Sequence, residues 1–175
     1  AMPFRKLNHL KEIITDLVKS DIDFIICGGV ALVLHGVERM TMDLDVAIDM
    51  TESNLNRFLR AMKHLHLVPR APVPAESLLD PEKRKIMIEE KNALVFTFID
   101  PKNPYRQVDV FLTDKLSYDT LKENVEHVDI GSHRAKLVSK KTLLQMKKAV
   151  QPPREKDIFD IHILEKIISK SEDTA

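Results

Sequence analysis

Apolar residues along the chain follow two rhythms, and the switches between them outline the elements. Leu7, Leu10, Ile13, Ile14, Leu17 and Val18 recur at helical spacing, which predicts an amphipathic helix over residues 4–20. Residues 24–27 form a short apolar run that reads as a buried strand, and Gly28-Gly29 breaks it. Residues 30–35 suit a short buried helix with Gly36 as its C-terminal cap. After a loop over 37–42, Leu44, Val46 and Ile48 alternate with Asp43, Asp45, Ala47 and Asp49. That period of two predicts a strand with one apolar face and one face carrying carboxylates.

Helical spacing returns at Leu55, Phe58, Leu59, Met62 and Leu65, with Thr51 placed to cap that helix. Pro69, Pro72 and Pro74 make residues 67–75 a loop, and residues 82–90 carry only a weak helical signal. Residues 93–99 and 107–112 are β-rich and flank a turn-forming 100–104 segment, so they predict a hairpin. A short helix over 117–124 precedes a second hairpin, 125–130 with 134–138, around Gly131-Ser132. Ser139 caps a helix to about residue 150, Pro152-Pro153 stops it, and 157–168 is a last helix. The predicted fold class is α/β (α+β): a mixed sheet flanked by helices, then C-terminal helices. Residues 2–138 form the core, and 139–170 form a helical segment packed on the same domain.

Lysine plus arginine and aspartate plus glutamate both number 27. That balance argues against a broad, sequence-independent nucleic-acid binder, which carries a large basic excess. Cys27, the one cysteine, cannot form an internal disulfide and reads as a small core residue. Charges interrupt the first twenty residues, so no signal-peptide block is expected there, and no run reaches the length of a membrane span. The expected compartment is the cytoplasm, with no membrane partner.

Three features carry chemistry. Gly28-Gly29 sits at a strand-to-helix turn, where the backbone can approach a phosphate closely; simple turn chemistry is the plain alternative. Asp43 and Asp45 stand at i and i+2 on one strand face, roughly 7 Å apart, a spacing that can grip divalent cations. Packing gives no reason to set repelling acids side by side, although an exposed edge strand tolerates them. Asp109 interrupts a β-branched and aromatic strand, Gln107-Val108-Asp109-Val110-Phe111. Beside the first strand it completes a three-carboxylate site, and one such carboxylate can draw a proton from an attacking hydroxyl. Asp49 ends its strand beside Thr51 and reads as turn chemistry, and His35 reads as a satisfied core histidine.

Gly28-Gly29, a thirteen-residue spacer, then Asp43-Leu44-Asp45-Val46, with a third acid at Asp109, resembles the signature of the DNA polymerase β-type nucleotidyltransferase superfamily. His35-Gly36, Arg39 and Thr41, then Leu143 to Lys147 and the Arg154 to Ile161 segment, are similar to the small prokaryotic nucleotidyltransferases related to the AbiEii toxin family. The resemblance implies that Asp43, Asp45 and Asp109 hold Mg2+ (or Mn2+) and that Gly28 and Gly29 lie along the phosphates. In many members the second turn residue is Ser; Gly29 lacks that hydroxyl, which leaves backbone N–H groups to meet phosphate. Lys147 is the expected cation on the triphosphate, with a solvated helix lysine as the alternative. Arg39 and Thr41 orient the acids, touch phosphate, or serve a plain loop; Lys156 and Asp157 are equally readable as a helix-start ion pair. The implied activity moves a nucleoside monophosphate from an NTP to an acceptor: a tRNA 3′ end, a protein side chain or a small hydroxylated compound. A toxin–antitoxin role implies a cognate antitoxin, or a second copy of the chain, as partner. The rival reading is an inactive nucleotide-binding or antitoxin-like module.

Overall fold

In the computed structural model, residues 7–174 are described; the part of the first predicted helix before Leu7 lies outside them. Seven strands form one mixed sheet: β1 (Phe24–Cys27), β2 (Leu44–Ile48), β3 (Val68–Pro69), β4 (Val95–Asp100), β5 (Asn103–Phe111), β6 (Val125–Ile130) and β7 (His133–Val138). Their order across the sheet is β3-β4-β5-β2-β1-β7-β6. β2 runs parallel to β5 and β1 parallel to β7, while β1–β2, β3–β4, β4–β5 and β6–β7 are antiparallel. β1 is central and buried along its whole length, which its unbroken Phe-Ile-Ile-Cys sequence requires. Both predicted hairpins form, and the Asn103 start of β5 shortens the first turn to Pro101-Lys102, where Asp100 accepts the Lys102 N–H at 2.8 Å.

The helices are α1 (Asn8–Lys19), α2 (Gly28–Leu34), α3 (Glu52–His64), α4 (Pro81–Lys91), α5 (Tyr118–Leu121), α6 (Lys140–Lys148) and α7 (Glu155–Asp173). α1 buries Leu10, Ile13, Ile14 and Leu17, the stripe its spacing predicts. Each such side chain contributes about 1.5–3 kcal/mol by leaving water. α2 begins at Gly28 rather than Val30, so both glycines belong to the helix start instead of breaking the chain before it. Leu143 of α6 and Leu164 of α7 join the same buried cluster as the strands.

Three local expectations are corrected. Residues 81–91 form a full helix although none of its residues is buried. Its ends hold it: Asp80 accepts from the Glu82 and Lys83 N–H groups, Pro81 opens it, and Asn92 closes it in the left-handed region. Thr51 sits at the cap position of α3 but makes no side-chain capping bond; Asp49 instead accepts the Thr51 N–H at 3.0 Å. α7 extends from 155 to 173, beyond the predicted 157–168. Ser139 caps α6 as expected, accepting from Thr142 N at 3.2 Å.

Candidate active site

The sheet register builds the floor of the site. Asp45 pairs with Cys27 on one side and with Asp109 on the other, and Asp109 pairs in turn with Thr97. A row therefore crosses four adjacent strands, and paired strands lie only about 4.8 Å apart. Asp43 stands just before β2, on the same side as Asp45. Asp43, Asp45, Asp109, Gly28 and Gly29 all line one cleft of about 500 Å3. Gly28 is required there twice over. Its φ is +61°, and a Cβ on it would stand 2.0 Å from Asp45 Oδ2.

These acids sit against one another. Burial, then repulsion from Asp109 and Asp43, pushes the Asp45 carboxyl up to about 7, against an opposing pull from Lys147. Burial and then Asp109 also raise Asp43, while Arg70, Lys156 and His9 act to lower it. Asp109 is held by donors: Thr97 Oγ1 donates to its Oδ1 at 2.6 Å, and Gln107 Nε2 donates at 3.1 and 3.2 Å. Arg70 donates to Gln107 and extends this chain. Among the described residues no three acidic, cysteine or histidine side chains stand as a ready-made metal cluster.

The opposite wall comes from the C-terminal helices. Leu143, Met146 and Lys147 of α6 line the cleft, with Arg154 and Lys156 at the start of α7. Lys147 Nζ lies 3.3 Å from Asp157 and 3.1 Å from Asp160, both of which are fully buried or nearly so. Arg154 donates to Asp157 from Nε at 2.7 Å and from Nη2 at 3.0 Å. These contacts, led by the Arg154 hydrogen bond, hold the Asp157 carboxyl down to about 2. Arg39 reaches Asp160 at 2.5 Å, so the loop before β2 is tied to α7. Asp157 thus pairs with Arg154 and Lys147, and the suggested Lys156–Asp157 pair is replaced.

A family model described as "Nucleotidyl transferase AbiEii toxin, Type IV TA system" matches residues 13–175. The chain belongs to the AbiEii nucleotidyltransferase toxin family. Its fold is also similar to the lincosamide antibiotic adenylyltransferase LnuA in a lincomycin-bound structure, with TM-score 0.60 and 15% identity over 91% of this chain and 96% of that one. An antigenic nucleotidyltransferase-like protein from Paracoccidioides brasiliensis is similar at TM-score 0.52 and 18% identity, over 90% of this chain and 75% of that one. Among curated proteins none matches in sequence. No helix among the described residues is long and apolar enough to cross a membrane.

In this AbiEii-family chain, every residue singled out for the site lines the cleft: Asp43, Asp45, Asp109, Gly28, Gly29, Arg39, Thr41 and Lys147. Sequence reading missed Thr97 and Gln107, whose only signal was polarity inside β-rich segments, and Arg70, which lies in the segment read as a loop. Asp160 is the buried acid joining Arg39 to Lys147. His35 is satisfied, with Nε2 at 2.7 Å from the Val138 carbonyl and Nδ1 at 3.2 Å from Glu126. Burial pushes its pKa down. Cys27 is buried, and burial followed by Asp45 pushes its thiol far up, so it is a core residue and no nucleophile.

Proposed function

We propose that the cleft binds an NTP with divalent cations and transfers its nucleoside monophosphate to a hydroxyl acceptor, as a toxin restrained by a cognate antitoxin. One observation carries this reading: three acids and two glycines line the same 500 Å3 cleft as Lys147. The donor set is carboxylate oxygen throughout, which suits Mg2+ or Mn2+. The repulsion that raises Asp45 and Asp43 is what a divalent charge relieves. Asp43, Asp45 and Asp109 are the residues to hold it. Bound there, the cation supplies charge neutralisation on the triphosphate and lowers the acceptor hydroxyl's pKa.

The chain's own residues do the rest. Gly28 and Gly29 carry no side chain, which lets Asp45 and Thr41 pack against the bend and leaves its backbone N–H groups for the phosphates. Lys147, fixed by Asp157 and Asp160, presents positive charge to the polyphosphate and the departing pyrophosphate. Leu94, Phe111 and Met146 line the same cleft and offer apolar surface to the base. Asp109, held by Thr97 and Gln107, accepts the proton as the acceptor oxygen bonds to the α-phosphorus and the bond to pyrophosphate breaks.

The test is mass spectrometry of a cell extract incubated with the protein, Mg2+ or Mn2+, and each labelled NTP in turn. A label entering RNA, protein or a metabolite, together with pyrophosphate release, supports transfer and names the acceptor class. Tight NTP binding with no label transferred and no pyrophosphate released refutes it and leaves a nucleotide-binding module.

A further inference from the structure

Gly29 is a glycine for a different reason than Gly28. Its φ lies outside the left-handed region, so its backbone would accept any L residue. What forbids a side chain is Thr41. A Cβ at residue 29 would stand 2.4 Å from Thr41 Oγ1 and 2.9 Å from Thr41 Cβ. The Thr41 hydroxyl therefore occupies the space over the bend that a side chain at 29 would fill. Thr41 sits in the loop before β2 and lines the cleft beside Asp43 and Asp45. Its one hydrogen bond is slack, to the Asp43 carbonyl at 3.5 Å. It is a donor with little to do in the folded chain.

We propose that Thr41 supplies, from the loop before β2, the side-chain hydroxyl that the Gly28-Gly29 bend lacks, and that it donates to a phosphate oxygen of the bound nucleotide. Residues 29 and 41 then form a reciprocal pair, in which one side must be bare for the other to reach in. On this proposal a side-chain donor joins the backbone N–H groups expected to meet the phosphate. It rests on the reading of the cleft as a nucleotide site.

The test is calorimetric titration with Mg2+–NTP on the whole chain, with thermal unfolding beside it. Thr41→Val keeps the shape and removes the hydroxyl; it is expected to weaken NTP binding about tenfold at an unchanged melting temperature. Thr41→Ser keeps the hydroxyl and is expected to bind like wild type. Gly29→Ala is expected to weaken binding by displacing Thr41. The exchange Gly29→Ser with Thr41→Gly puts a hydroxyl back from the other side and is expected to recover affinity that Gly29→Ala with Thr41→Gly does not. Equal binding by wild type and Thr41→Val, or equal recovery by the two double variants, overturns the proposal. A wild type that binds no NTP with either Mg2+ or Mn2+ overturns the nucleotide reading as well, which separates the two failures.

Discussion

The floor and the wall of the cleft handle charge in opposite ways. On the floor, Asp43 and Asp45 are raised by burial and by neighbouring acids. On the wall, Asp157 is more deeply buried than either and yet is lowered, because Arg154 and Lys147 stand against it. Burial pushes acids up in both regions; it leads on the floor, and on the wall the cationic partners outweigh it. A buried acid paired with cations is a strut, while buried acids set against one another form a place waiting for positive charge. The fold sets the floor's repulsion opposite the wall's attraction along one cleft.

That contrast breaks most readily at Asp157. Asp157→Ala leaves Arg154 and Lys147 without their buried partner and is expected to cost about 3–5 kcal/mol of stability at pH 7, measured by chemical denaturation. Because the folded carboxyl is held at about 2, below its unfolded value, its contribution is full above pH 4 and fades as pH falls towards 2. A loss under 1 kcal/mol at pH 7 would make the wall an incidental surface cluster. Asp45→Asn has the opposite sign. The folded carboxyl ionises near 7 and the unfolded one near 4, so ionisation costs the folded state progressively between those values. Without divalent cation, the variant is expected to be more stable than wild type by about 2–4 kcal/mol at pH 8 and equal to it at pH 4. Transfer is expected to fall at least about a hundredfold. A variant less stable at pH 8 would mean that Asp45 is compensated after all.

The two regions were also unequally legible in the sequence. The floor is local: Asp43-Leu44-Asp45 shows its shared face through strand period alone, and an acid at 109 inside an apolar strand calls for an explanation. The wall depends on long-range packing. Arg39 and Asp160 are 121 positions apart, and nothing in their local patterns says that they meet. The Lys156–Asp157 reading failed for the same reason, since adjacent residues on a helix point apart while Arg154 three positions back shares a face with Asp157. α4 escaped because it has no apolar stripe and lives by its caps. Strand pairing was the other hidden term: Thr97 reads as an ordinary strand threonine until the β4–β5 register sets it opposite Asp109.

Thr97 gives the smallest and sharpest test of that comparison, because Asp109 is the floor acid that has donors of its own. Thr97→Val keeps the β-branched shape that the strand favours and removes only the 2.6 Å hydrogen bond to Asp109 Oδ1. Gln107 still donates to both oxygens, so Asp109 stays in the cleft but with its carboxylate less firmly aimed. The expected result is a kcat lowered about 3- to 10-fold with NTP affinity unchanged, corresponding to roughly 1 kcal/mol of lost positioning. Thr97→Ser, which keeps the hydroxyl, is expected to restore most of the rate. Steady-state kinetics with separately measured NTP binding decides it. A loss of affinity matching the loss of rate would mean that Thr97 shapes the nucleotide-binding part of the cleft and not the aim of Asp109, whose remaining donor is Gln107.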